Sequence, residues 1–395
     1  VSAVVAPSVK GWCPGALRPM ESGDGWIARV RPWIGAFTLS QASALADIAD
    51  RLGNGHLELT RRANLQIRGL PHDALPELHA ALNALGLLDR DVETEAARNI
   101  MVGPLAGLDP DAVDVRPLAR RLTAVLATDR TLAGLPAKFG WLVDGGGVAS
   151  IRGERVDIAL SAIGKRIALR LDSQWIGLGT PDEALAAALT AARAFLTLGT
   201  CNRMRKLSEA QWQELLAAVS PSLEPIGHIE VKQHRPLGLL PGATGIAVPF
   251  GQIEAAQLRG LAARATDAGA SEFRLSPWRI LYVDVQDGRL IEGGAELGLI
   301  VDSRDPLLRV DACPGAPSCN SATVDSRAAA RWLAAHGMTG TAHVSGCIKG
   351  CARSEPADLV LVGDAGRYHV VRRGTTRDTP QGTIQSNELR AVLHG

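Results

Sequence analysis

The chain has no uninterrupted run of about 18 apolar residues, the length a helix needs to cross a bilayer, so no membrane-spanning helix is expected. Its opening stretch, "VSAVVAPSVKGWCPG", lacks a secretory signal's order of basic region, long apolar core and small-residue cleavage site, which points to a cytoplasmic location. A surplus of either charge is also missing: 42 Lys and Arg offset 41 Asp and Glu. Nucleic acid is therefore not an expected partner, and an anionic ligand has to be held by a local basic cluster. Cysteine is scarce. Six thiols in 395 residues do not make a disulfide scaffold, and in a reducing compartment clustered thiols are more often metal ligands or catalytic groups. The order G-x-G-x-x-G is absent, since "VDGGG" at 143–147 does not supply it, so the chain is not expected to bind NADH itself. Nine histidines form no H-x-D or H-x-x-x-H pair, and spacing alone identifies no histidine metal site.

What is present is concentrated. Cys313 and Cys319 stand as C-x5-C in "RVDACPGAPSCNSA", and Cys347 and Cys351 as C-x3-C in "HVSGCIKGCARS". Structural zinc sites favour cysteine pairs two to four residues apart, which C-x5-C exceeds. A [4Fe–4S] cubane takes four thiolates, one terminal ligand for each iron. Pro314, Gly315 and Pro317 make the first loop tight and non-helical, and Gly346 and Gly350 let the second approach an inorganic core closely. The pattern favours a cubane; zinc and unligated thiols are the alternatives. Cys13 and Cys201 have no paired spacing and read as ordinary thiols, although Cys13 could lie near a substrate.

The length favours two or three domains. Residues 34–67 lie over residues 250–283 at a constant offset without a gap, matching Gly35 with Gly251, Leu45 with Leu261, Ala49 with Ala265 and Leu59 with Leu275. In the first copy Leu39, Ala42, Leu45, Ala46, Ala49 and Leu52 recur at helical spacing behind a capping box of Thr38 and Gln41. Gly53 and Gly55 stop that helix, and "HLELT" then alternates as a half-buried strand. Each copy reads as strand, helix, strand, and two copies can complete one antiparallel sheet. The expected organisation is a first half-domain at 1–90, an inserted α+β domain at 91–225 on the substrate-pocket side, a second half-domain at 226–300, and a cluster-binding domain at 301–395.

The cysteine motif, the duplication and three basic segments in order resemble the sulfite and nitrite reductase superfamily, over about Cys13 to Leu393. "LTRRANLQIRG" is similar to its T-x-R-x-x-x-Q strand and implicates Arg62 and Gln66. "ARNIM" is similar to its R-N-V segment, implicating Arg98 and Asn99, and "LPAKFG" to its oxyanion-gripping lysine segment, implicating Lys138. An isolated arginine or lysine is usually a solvated surface residue; ordered co-occurrence with the cysteine motif argues otherwise. The resemblance implies an α+β fold with duplicated ferredoxin-like half-domains forming a central sheet plus two larger α/β domains. It also implies a [4Fe–4S] cluster on Cys313, Cys319, Cys347 and Cys351.

One departure narrows the reading. Sulfite reductases carry K-x-K where this chain has Lys138 followed by Gly140, so one charge for a small oxyanion is missing. The whole set of motifs is similar to the precorrin-3B synthase branch, which implies a tetrapyrrole as substrate and no siroheme cofactor. Implied with it are C20 hydroxylation and γ-lactone formation on precorrin-3A, dioxygen, electrons from NADH through a separate donor, and a mononuclear non-haem iron whose ligands spacing does not identify. Arg29, Arg31, Arg61, Arg62, Arg68, Arg98 and Lys138 are candidates for the substrate carboxylates. Asp144, in the Gly-rich turn, is a candidate pocket residue, with a structural turn as its alternative. A siroheme-dependent nitrite or sulfite reductase and a non-catalytic iron–sulfur sensor or scaffold are the competing readings.

Overall fold

The computed structural model describes residues 12–199, 201–219, 223–231 and 234–393. The repeat is plain in the backbone. In the first copy, helix Leu39–Leu52 starts at Thr38, whose hydroxyl accepts from Gln41 N while Gln41 Oε1 accepts from Thr38 N. Its buried face is Leu39, Ala42, Leu45, Ala46, Ala49 and Leu52, the stripe set by the 3.6-residue period, with Ile48 added. The second copy, helix Ala255–Asp267, buries Leu258, Leu261, Ala262 and Ala265. The two helices pack together, and Arg259 donates from one to Asp47 and Asp50 of the other.

Two unusual backbone positions recur in both copies. Ile34 and Phe250 have φ of 52° and 55°, and Ala63 and Arg279 have φ of 50° and 64°. Each pair is related by the offset that superposes the repeats. Non-glycine residues rarely occupy this region, so matched outliers are stronger support for duplication than shared Ala, Gly or Leu.

Two five-stranded sheets carry the repeats, where a single antiparallel sheet is the sequence expectation. Strand Gln252–Glu254 of the second copy pairs with His56–Leu59 of the first, while Ala36–Thr38 of the first pairs with Glu272–Leu275 of the second. Each three-residue strand precedes its helix and covers the other copy's sheet edge, satisfying edge N–H and C=O groups. One hydrophobic core runs through both sheets.

A third sheet contains Trp141–Asp144, Ile158–Ile163 and Arg166–Leu171 among its five strands and packs on helix Pro181–Thr197, capped by Thr180 and Glu183. The fourth sheet begins with Val310–Ala312 and Ala342–Ser345, paired in parallel, with helix Ser326–Ala335 packed on them. Both cysteine loops leave the ends of these two strands. Among the described residues no helix is long and apolar enough to cross a membrane.

Candidate active-site cleft

The positive-φ positions form two matching turns. In the first copy Thr60 Oγ1 accepts from Arg62 N and Asn64 N, each at 3.2 Å, and the closed turn presents Arg61 and Arg62. At the equivalent place Ser276 Oγ accepts from Ile280 N at 3.2 Å and donates to Ile280 O at 2.9 Å, presenting Pro277, Trp278 and Arg279. A hydroxyl residue thus locks the same turn twice.

Both turns open onto one cleft of about 790 Å³. The inserted domain contributes Glu154, Arg155, Arg203 and Arg205; Arg235 adds to the rim; and the cluster-loop side contributes Asp311, Cys351, Arg353 and Glu355. Eight arginines face three carboxylates, which makes the cleft strongly basic in a nearly neutral chain. Arg62 donates to Arg155 O at 2.7 Å; burial, followed by the neighbouring Arg203, lowers its pKa to about 10. Arg203 is paired with Asp157 at 2.7 Å. Arg61 reaches Ala352 O at 3.2 Å and Glu355 at 3.3 Å, tying the first turn to the segment after Cys351.

The two cysteine loops meet beside this cleft. Gly346 N donates to Cys313 Sγ at 3.1 Å, and a Cβ on Gly346 would lie 3.4 Å from Gly315 Cα and 2.6 Å from Ala322 Cβ, so glycine permits the loops to close. Cys351 is exposed at the cleft, yet desolvation by the surrounding protein and then the three neighbouring thiols push its thiol up to about 11; desolvation likewise raises the half-buried Cys347. All six cysteines are free. Cys313, Cys347 and Cys319 each act electrostatically on Cys351, and an N–H is directed at the Cys313 sulfur; the chemistry of this donor set suits an iron–sulfur cluster, whose irons would offset the thiolates' mutual repulsion.

The sequence candidates divide. Arg61 and Arg62 line the cleft. Asn99 lies just behind Arg62: a Cβ on Gly140 would be 3.7 Å from both Arg62 Nη1 and Asn99 Nδ2. Asn99 Nδ2 donates to Phe139 O. Gln66 accepts from Arg29 at 2.9 Å and aligns that guanidinium. Arg98 is not among the cleft-lining residues: it is buried in a bidentate pair with Asp89 at 2.7–2.8 Å and stacks on Trp33. Arg31 is bound to Glu95 O, and Arg68 to Asp24 and Glu58, so both serve internal networks. Lys138 is half-buried outside the cleft lining. Asp144 takes the structural-turn alternative: fully buried, it accepts from Ile151 N, Ser150 Oγ and Gly146 N and locks the Gly-rich turn.

Among the described residues no three His, Cys, Asp or Glu side chains converge as ligands of a single ion. His228 and His234 are exposed, and His56 is half-buried. His343 is buried beside Asp311, and burial lowers its pKa to about 4. The arginines Arg353, Arg279 and Arg61 around it disfavour a cation there. Among the described residues, no ligand set for the expected mononuclear iron is brought together. The composite nature of the cleft explains what sequence reading misses: Arg155, Arg203, Arg205, Arg235 and Arg353 come from segments without a shared spacing. Arg279 could have been found by extending the repeat through the turn, where it matches Ala63.

Comparison with known proteins places this geometry. Residues 18–85 match the Nitrite/Sulfite reductase ferredoxin-like half domain. A precorrin-3B synthase from Sinorhizobium sp is 30% identical, over 98% of this chain and 88% of its own length. The chain belongs to the precorrin-3B synthase family. A ferredoxin–nitrite reductase of Synechococcus elongatus is 28% identical over 88% of this chain and 77% of its own. The solved structure of the Mycobacterium tuberculosis NirA protein shares the fold, with a TM-score of 0.74 at 20% identity over 92% of this chain and 78% of that one. The precorrin-3B synthase family thus shares its sulfite/nitrite reductase-like α+β fold with enzymes that are oxidoreductases.

Proposed function

We propose that this chain is a monooxygenase that converts precorrin-3A to precorrin-3B by C20 hydroxylation with γ-lactone formation. One atom of dioxygen enters the product and the other leaves as water, with two electrons derived from NADH through a separate donor. The observation that carries this reading is the arginine-rich cleft abutting the paired cysteine loops. A tetrapyrrole bearing many carboxylates needs several guanidinium partners, and planar bidentate recognition is arginine's particular strength. Arg61, Arg62, Arg203 and Arg279 approach from different walls, so they can orient the ring as well as attract it. Trp278, held by its indole N–H on Glu154 at 3.0 Å, offers an aromatic face at the same opening.

Cys313, Cys319, Cys347 and Cys351 would hold a [4Fe–4S] cluster, which supplies electrons singly. Gly140 supports a tetrapyrrole substrate over a siroheme reductase, because it leaves beside Arg62 no second lysine for a small oxyanion. Anaerobic purification, iron and sulfide analysis and a visible spectrum test the assignment. About four irons and four sulfides with only a broad cluster shoulder are expected. Stoichiometric siroheme with strong Soret and red bands would overturn it. Cys347→Ala should lose iron and sulfide together; retention of both would refute the ligand assignment.

A further inference from the structure

Arg279 and Arg353 reach the cleft from different parts of the fold. Arg279 belongs to the strained turn of the second repeat; Arg353 follows Cys351 by two residues. Their Nη1 atoms each donate to Asp311, at 3.2 Å to Oδ1 and 3.2 Å to Oδ2 respectively. All three residues line the cleft and retain partial exposure. The two arginines are not equally tethered. Pro356 O accepts from Arg353 Nη2 at 2.8 Å, while Pro356 O and Glu355 O both accept from its Nε. Gly251 makes room for the stem of Arg279: a Cβ there would lie 2.9 Å from Arg279 Cδ. Among the described residues, Asp311 is the one hydrogen-bond partner of the Arg279 guanidinium, leaving most of its five N–H donors uncommitted on a residue that lines the cleft.

An internal carboxylate bridging two arginines is the arrangement that an external carboxylate would adopt. We propose that Arg279 and Arg353 form a subsite for one substrate carboxylate, with Asp311 holding both guanidiniums ready and competing with the incoming group. The arriving carboxylate takes over donors now shared with Asp311. This inference rests on the tetrapyrrole reading and assigns one contact within it. Its distinguishing feature is the opposite sign expected for the two kinds of substitution: loss of an arginine removes a partner, whereas neutralising Asp311 removes a competitor.

The test is equilibrium binding of uroporphyrin III, with eight carboxylates, to anaerobically prepared holoprotein, followed by quenching of tryptophan fluorescence. Variants are compared at matched iron and sulfide content and matched far-UV circular dichroism. Arg279→Gln should raise Kd roughly tenfold or more, the scale of a lost charge-assisted hydrogen bond. Arg279→Lys should weaken binding less, because charge remains while the planar fork is lost. Asp311→Asn should lower Kd several-fold. If parent protein binds but Asp311→Asn weakens binding alongside Arg279→Gln, Asp311 is structural and the competing-carboxylate subsite is overturned. If Arg279→Gln leaves Kd unchanged, the subsite is also overturned. If the parent does not bind uroporphyrin III, both this subsite and the broader tetrapyrrole reading fail.

Discussion

Arg62 and Arg279 meet the same problem from opposite turns: each carries a cation into a partly buried, arginine-rich cleft. Burial lowers the pKa of both, yet a guanidinium retains its proton more readily than other basic side chains and keeps its donors directed at an anion. His343 behaves differently under the same burial. With a pKa of about 4, it stays neutral in the folded chain through the range in which an unfolded histidine takes up a proton. The unfolded state therefore binds more protons as pH falls from about 6.5 to 4, and this residue's contribution to stability falls with it, by roughly 1.4 kcal/mol for each unit of depression. His343→Gln should flatten the pH dependence of urea midpoints between pH 6.5 and 4. An unchanged profile relative to the parent would contradict the buried neutral imidazole. At this scale the sequence displays the cysteines and Arg62 through spacing, but it does not reveal that Arg98 is consumed by Asp89 or Asp144 by its own turn. Those partners depend on folded proximity.

The repeated turn and the exchanged strands govern the element scale. Helical period and capping residues are local signals, so Leu39–Leu52 and its cap are legible before any tertiary structure is known. Strand pairing is not local: no pattern within Ala36–Thr38 says that Glu272–Leu275 is its partner. That is why the repeat is readable while the division into two sheets is not. The exchange also makes the halves interdependent. A fragment of residues 12–90 should lack cooperative urea unfolding because its His56–Leu59 edge has lost Gln252–Glu254; a sharp transition with native-like circular dichroism would oppose this. Ser276→Ala should cost about 1–3 kcal/mol by leaving the buried Ile280 amide without this acceptor, measured by urea denaturation. No loss would mean that the hydroxyl does not hold the turn.

Across the whole molecule, a net charge of +1 conceals eight arginines concentrated in one cleft. Composition excludes a general polyanion binder but cannot show a local basic site assembled from three regions of the fold. Fold class and cluster motif are legible because duplication and cysteine spacing persist in the linear order; the carboxylate-binding surface emerges only when the repeats, inserted domain and cysteine loops meet. The arrangement connects a polycarboxylate-sized cleft to a thiol-rich site at Cys351, the connection that the proposed monooxygenase requires. The most direct test is turnover of precorrin-3A with labelled dioxygen and reductant, followed by product mass spectrometry. One oxygen atom from dioxygen should enter each precorrin-3B molecule. Formation of the product with unlabelled oxygen, or no product from cluster-loaded protein supplied with competent reductant, would contradict the account.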